Sequence, residues 1–258
     1  MSIDTEQRGT VLVVTINRPA RQNAVDAETA GELDKVFAAF DAEPAQRVAV
    51  LTGADGQFCA GADLKALAGG ENAAARIATH RPGPMGPTRR LLSKPVLAAV
   101  EGHAVAGGLE LACWCDLRIA ARSAVFGVYC RRFGVPLVDG GSVRLPRLVG
   151  QSRAMDMILT GRGVEAAEAL EFGLVNRIVD DGQALATACE LAQSLAELPQ
   201  QCLRNDRMSV LTQWGLEESE ALEREARLGL ASLESGESLT GAEKFTDGAG
   251  RRGSSVKD

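Results

Sequence analysis

Glu110 lies in Gly107-Gly108-Leu109-Glu110-Leu111-Ala112, one turn into an otherwise apolar stretch. A carboxyl in such surroundings is costly unless it is paired or put to work. It is therefore either bonded to a polar neighbour or a candidate acid/base. Two Gly- and Ala-rich segments, Ala60-Gly61-Ala62 and Ala106-Gly107-Gly108, each stand between an apolar run and a helical one. Small side chains let backbone approach a ligand closely, and a helix starting there leaves unpaired N–H groups at its positive end. Two such groups meeting at one point would hold a carbonyl oxygen as it gains charge. Taken singly, each segment is equally consistent with tight strand–helix packing.

Other catalytic machinery is missing. There is no G-x-x-x-x-G-K-[ST] phosphate loop, no G-x-G-x-x-G after a strand and no G-x-S-x-G elbow. The two histidines, His80 and His103, and the Cys113-Trp114-Cys115 pair do not make a ligand set. No metal is expected, and the C-x-C pair is read as two small residues on a buried helix.

The elements that must position Glu110 and the two turns alternate between strand and helix. Strands are expected at Thr10–Ile16, Arg47–Thr52, Lys94–Val100, Leu117–Ala120 and Ala124–Phe126. Asp26 is placed to cap a helix reaching about Phe40, with Leu33, Val36, Phe37 and Phe40 on one stripe. A short helix follows Asp63, and Leu109–Trp114 is a buried one. Residues 69–88, with several Gly and Pro, have the composition of a flexible flap. From Ser142 the chain is almost wholly helical, interrupted by a strand-like Leu174–Val179, and the tail after Gly248 has the composition of a disordered end. No internal repeat is visible. The fold class is therefore α/β, with an α/β core over residues 1–198 and a helical region over 199–258.

Composition bounds what this fold can serve. The 258 residues are 45% hydrophobic and carry a net charge of −6, which argues against a nucleic-acid partner. No apolar run approaches the roughly 18 residues of a membrane span, and the first residues have no basic-then-apolar leader. Six cysteines without repeated spacing fit buried thiols in a reducing compartment. A cytoplasmic protein with no membrane partner is expected.

Ordered motifs carry a resemblance. They are Asn17-Arg18-Pro19 with Asn23-Ala24, Phe58-Cys59-Ala60-Gly61-Ala62-Asp63-Leu64-Lys65, and Gly107-Gly108-Leu109-Glu110-Leu111-Ala112 with Cys115-Asp116. Phe126-Gly127, Gly134 and Gly140-Gly141 follow, then Leu159-Thr160-Gly161, Ala166, Ala169 and Gly173-Leu174-Val175. In this order the chain resembles the crotonase (enoyl-CoA hydratase/isomerase) superfamily over most of its length. The resemblance implies a spiral of ββα units with C-terminal helices that build a homotrimer or homohexamer. It implies an acyl-CoA thioester substrate, with coenzyme A part of the substrate and no separate cofactor. It also implies backbone donors at Ala62 and Gly107. The CoA-contacting positions it implies are Ala20, Arg21 and Gln22, then Ala60, Asp63, Leu64 and Lys65, and Gly108.

One departure stands out. The hydratases hold a water between two glutamates; the first matches Glu110, but the second position is Cys130. A thiol is a poor hydrogen-bond partner for water and does not replace a carboxylate. Asp139 lies near the place where other branches keep an acidic base, although it is equally placed to cap a helix starting near Ser142. Tyr129, the single tyrosine, could donate a proton to an enolate. The first expectation is hydration of a 2-enoyl-CoA with Glu110 as acid/base. The alternatives are an isomerase or hydrolase using Asp139, or a non-catalytic acyl-CoA-binding homologue.

Overall fold

The computed structural model describes residues 2–70, 77–78 and 82–248. The chain divides into two compact units, Met1–Ala196 and Glu197–Asp258.

The first unit is built on a sheet of β1 (Ile3–Arg8), β2 (Val11–Ile16), β3 (Val48–Gly53), β4 (Val96–Val100), β6 (Leu117–Ala121) and β9 (Arg177–Val179), in that spatial order. Only β1 runs antiparallel to its neighbour. Parallel strands covered on both faces become continuous apolar runs, because each successive side chain enters a different core. In β4, Val96, Ala98 and Val100 join one apolar cluster, while Leu97 and Ala99 join the other. The first cluster includes Leu33, Phe37 and Phe40 of helix α1 (Ala27–Ala42), which starts at Asp26 as its side chain accepts from Thr29 N. The second is closed by α7 (Ala184–Glu197) through Ala184, Ala188, Ala192 and Ala196, a ladder of alanines at every fourth position.

A smaller sheet holds β5 (His103–Val105), β7 (Val125–Gly127) and β8 (Gly163–Glu165), in the order β5-β7-β8. The chain passes from β4 through β5 into helix α3 (Gly107–Trp114), then from β6 through β7 towards helix α4 (Gly141–Val149). This strand–strand–helix repeat is one of geometry, which is why no sequence repeat announces it. Helices α2 (Leu64–Ala68), α5 (Gln151–Thr160) and α6 (Ala166–Glu171) complete the unit.

In the second unit α8 (Gln200–Thr212) packs on α9 (Glu218–Glu234), and α10 (Glu237–Thr246) follows. Asn205 Nδ2 donates to Leu228 O and Ser232 Oγ, each at 2.9 Å. The Glu237 carboxylate accepts from Gln201 N and Cys202 N, satisfying two orphan donors of the first α8 turn.

Several expectations change. The first strand is not Thr10–Ile16, since β1 precedes it; only Ile3 of β1 is buried, so no apolar alternation marks it. A further strand, β5, directly precedes the Ala106-Gly107-Gly108 segment, and the helical last third contains the three-residue β8. Residues 83–88 are not a flap: all six are buried, and Pro87–Arg89 forms a 3₁₀ turn. Of that stretch, residues 71–76 and 79–81 lie outside the described residues, as does the tail beyond Gly248.

Candidate active site

The two Gly/Ala turns lie side by side. Residues 58–59 pair with 101–105 through Phe58 N to Glu101 O at 2.8 Å, Cys59 N to His103 O at 2.9 Å and Val105 N to Cys59 O at 3.1 Å. Beyond this pairing, a Cβ placed on Gly61 would lie 2.8 Å from the Gly107 nitrogen, so only glycine lets the turns approach this closely. Ala106 enters α3 at φ 54°, a conformation disfavoured for a residue with a side chain. Among the described residues, neither the Ala62 N–H nor the Gly107 N–H has a protein acceptor.

Glu110 follows Gly107 by three positions and lies on the same side of α3. It is 2% exposed. Its Oε1 accepts from Asp139 N at 2.9 Å and from Gly141 N, the first residue of α4, at 2.7 Å. A Cβ on Gly141 would come within 2.9 Å of that oxygen, so the approach needs glycine. Burial, and then the charge of Asp139, push the Glu110 carboxyl up to about 7, against the pull of the backbone donors. Glu110 is thus a paired carboxyl, bonded to two backbone N–H groups, whose titration is raised close to neutrality.

Glu110, Ala62, Gly107, Asp139 and Cys130 all line one cavity of about 510 Å³. Its walls are largely apolar, with Leu64, Met85, Val105, Phe133, Val135 and Val138 among them. Tyr129 also lines it, with the Arg132 guanidinium 3.8 Å from its ring centre. The Cys130 thiol is raised by burial and then by Glu110, which keeps it neutral at pH 7.

Asp139 is no helix cap: α4 starts after Gly140 without a side-chain cap. Its Oδ1 instead accepts from Met85 N at 2.9 Å and from the Thr88 hydroxyl. Sequence reasoning missed Met85, Thr88 and Arg144, whose guanidinium donates to Asp139 O at 2.9 Å and Thr88 O at 2.6 Å. Met85 and Thr88 lie 54 and 51 residues from Asp139, so no local signal links them.

The positions expected at CoA separate into three groups. Ala60, Asp63 and Leu64 line the cavity. Ala20, Arg21, Gln22 and Lys65 lie outside its lining and are exposed. Gln22 O accepts from Ala60 N at 3.0 Å, which sets the 20–22 segment beside the first turn. Asp63 also caps α2, accepting from Lys65 N at 3.0 Å, and pairs with Arg18 at 3.2 Å. Gly108 faces away from the cavity: a Cβ there would meet Cys59 O at 2.0 Å, so its smallness serves packing. Cys113 and Cys115 are buried in α3 and at its end, and burial raises both thiols. No group of His, Cys, Asp or Glu fit to hold a metal occurs among the described residues. Nor is any described helix long and apolar enough to cross a membrane.

Known proteins share this arrangement of chain. The family model for enoyl-CoA hydratase/isomerase matches residues 6–248. Enoyl-CoA hydratase EchA19 of Mycobacterium tuberculosis is 36% identical over 256 residues, covering 94% of this chain and 92% of its own. Mevalonyl-coenzyme A hydratase sidH of Aspergillus fumigatus is 39% identical over 189 residues, 72% of this chain and 69% of its own. The crystal structure of enoyl-CoA hydratase EchA1 from Mycobacterium marinum superposes with a TM-score of 0.89 at 34% identity, over 95% of this chain and 96% of that one.

Proposed function

The chain belongs to the enoyl-CoA hydratase/isomerase family, and from that premise we propose that it adds water across the double bond of a 2-enoyl-CoA thioester. The observation that carries this reading is Glu110, raised to about 7, in one cavity with the Ala62 and Gly107 backbone. Two N–H groups without protein acceptors suit a thioester oxygen that gains charge as the enolate forms.

The chemistry balances with one carboxylate. Glu110 takes a proton from water as the oxygen bonds to Cβ, and the double-bond electrons pass to the thioester oxygen between the two amides. As the enolate collapses, Glu110 returns that proton to Cα. Neutral Cys130 takes no part in either transfer, so Glu110 performs both in sequence. Exposed Arg21 and Lys65 suit the CoA phosphates, which need local positive charge on a protein of net charge −6.

Hydration of crotonyl-CoA, followed as loss of the conjugated enoyl-thioester absorbance, tests the reading. Wild type should turn over, and Glu110→Gln should lower kcat by at least about 10³ while still binding crotonyl-CoA. Turnover that survives the substitution overturns Glu110 as the acid/base. An inert wild type that isomerises 3-enoyl-CoA overturns hydration. Assembly as a homotrimer or homohexamer is part of the proposal. It is supported by Leu222, Leu230 and Leu233, which α9 leaves more than half exposed. Sedimentation as a monomer at micromolar concentration refutes it.

A further inference from the structure

Asp139 stands at the junction of three chain segments. Its N–H donates to Glu110 Oε1 at 2.9 Å. Its Oδ1 accepts from Met85 N at 2.9 Å and from the Thr88 hydroxyl. Its carbonyl oxygen accepts from Arg144, whose other nitrogen reaches Thr88 O at 2.6 Å. The side chain of Met85 in turn lies against Gly107, where a Cβ would meet its Sδ at 2.5 Å. Gly107 and Glu110 share one face of α3, so the contacts close a ring: Gly107, Met85, Asp139, Glu110. Gly83 is part of the same join, since a Cβ there would meet Thr88 Oγ1 at 1.9 Å and Asp139 Oδ1 at 2.5 Å.

We propose that Asp139 is a positioning residue: it ties the Glu110 carboxyl to the 83–88 segment and so fixes Glu110 relative to the Gly107 N–H. What favours positioning is that Oδ1 of Asp139, a residue 2% exposed, accepts from two donors on the 83–88 segment, Met85 N and the Thr88 hydroxyl. The proposal deepens the hydratase reading, and its activity arm rests on that reading. Groups facing Glu110 are Asp139 and Arg144 from the 139–144 segment, Cys130 after β7, and Cys113 on its own helix. Of these, Asp139 is the carboxyl whose charge raises Glu110.

Three variants test it. Asp139→Asn keeps an acceptor oxygen and loses the charge, Asp139→Ala loses both, and Thr88→Val removes one donor while leaving Asp139. On crotonyl-CoA, Asn should lower kcat by no more than about tenfold. Ala should lower it by about 10² with KM moved less than about threefold, the size of effect a small misplacement brings. Thr88→Val should fall between them, and it keeps the test open where the Ala variant does not fold. Equal losses in Asn and Ala overturn the proposal in favour of proton transfer by Asp139, and full activity in both Ala and Thr88→Val overturns it outright.

A second readout needs no turnover. The Glu110 carboxyl infrared band is identified by its disappearance in Glu110→Gln. Its frequency should be kept in Asn and displaced in Ala, with its titration midpoint lowered in both. An undisplaced band in Ala overturns the positioning role. A wild type inert on crotonyl-CoA overturns the hydratase reading and leaves this arm to decide alone.

Discussion

Helix α3 has a buried charge at each end, and the two are stabilised in mirror-image fashion. Near its start, the Glu110 carboxylate is held by backbone N–H groups at the head of α4. Just past its end, the Arg118 guanidinium, 1% exposed, collects carbonyls: Cys115 O at 2.7 Å, Ala112 O at 3.2 Å and Leu174 O at 2.5 Å. Each charge thus meets unpaired backbone dipoles of the opposite sign. Surroundings separate them. Glu110 faces a cavity and a second acid, so its proton is loosely committed. Arg118 lies among solid packing and joins the end of α3 to Leu174 and Asn176. A buried charge beside open space and a like charge is poised for chemistry, whereas one saturated by carbonyls ties elements together.

The largest effect should come from the Gly107 N–H. Glycolic acid in place of Gly107 turns that amide into an ester and removes the donor without adding the Cβ that would meet Met85. A loss of about 10²–10³ in kcat is expected in steady-state assays, with little change in unfolding midpoint. Arg118→Met should do the reverse. Stranding several buried carbonyls should cost about 3 kcal/mol or more in urea unfolding, and protein that remains folded should keep its KM. A large kcat loss without destabilisation there would erase the distinction between the two ends.

A pH effect is next. Glu110 titrates near 7 when folded and near 4.5 when unfolded. Between those values the folded protein holds a proton that the unfolded chain has released, so stability from this group is full below 4.5 and lost as pH rises to 7. At roughly 1.4 kcal/mol per unit, Glu110→Gln should gain at most about 3 kcal/mol on wild type from acid to about pH 8. Chemical unfolding across pH measures it, and a Gln variant that loses ground on wild type as pH rises contradicts the sign. Cys130→Ser should matter least: a neutral side chain outside the proton path should change hydration by less than about threefold. A much larger loss would give the thiol a role that its burial and raised titration argue against.

Local physics made half of the site legible. Glu110 was conspicuous as an acid among apolar residues, and the Gly/Ala turns because a missing Cβ signals close approach. Asp26 caps α1, as its place ahead of the Leu33, Val36, Phe37 and Phe40 stripe implies. The partners of these residues were illegible for the opposite reason. Nothing near Thr88 refers to Asp139, and nothing in Leu117-Arg118-Ile119 tells that the arginine turns inward to Leu174 O. Glycine and proline around Gly83 and Pro87 mark bends, but composition does not distinguish a bend in solvent from one packed in the core. Strand β1 escaped because a mostly solvated edge needs no apolar alternation.

The pairing of residues 58–59 with 101–105 has a consequence for inheritance. It presents the N–H groups of Ala62 and Gly107, and an N–H is carried by every residue except proline. The chemistry of a side chain is lost when that side chain is replaced. A backbone donor survives nearly all such changes, provided the neighbouring glycines keep the two turns in register. Side chains around the cavity can therefore be exchanged while the two backbone donors stay in place.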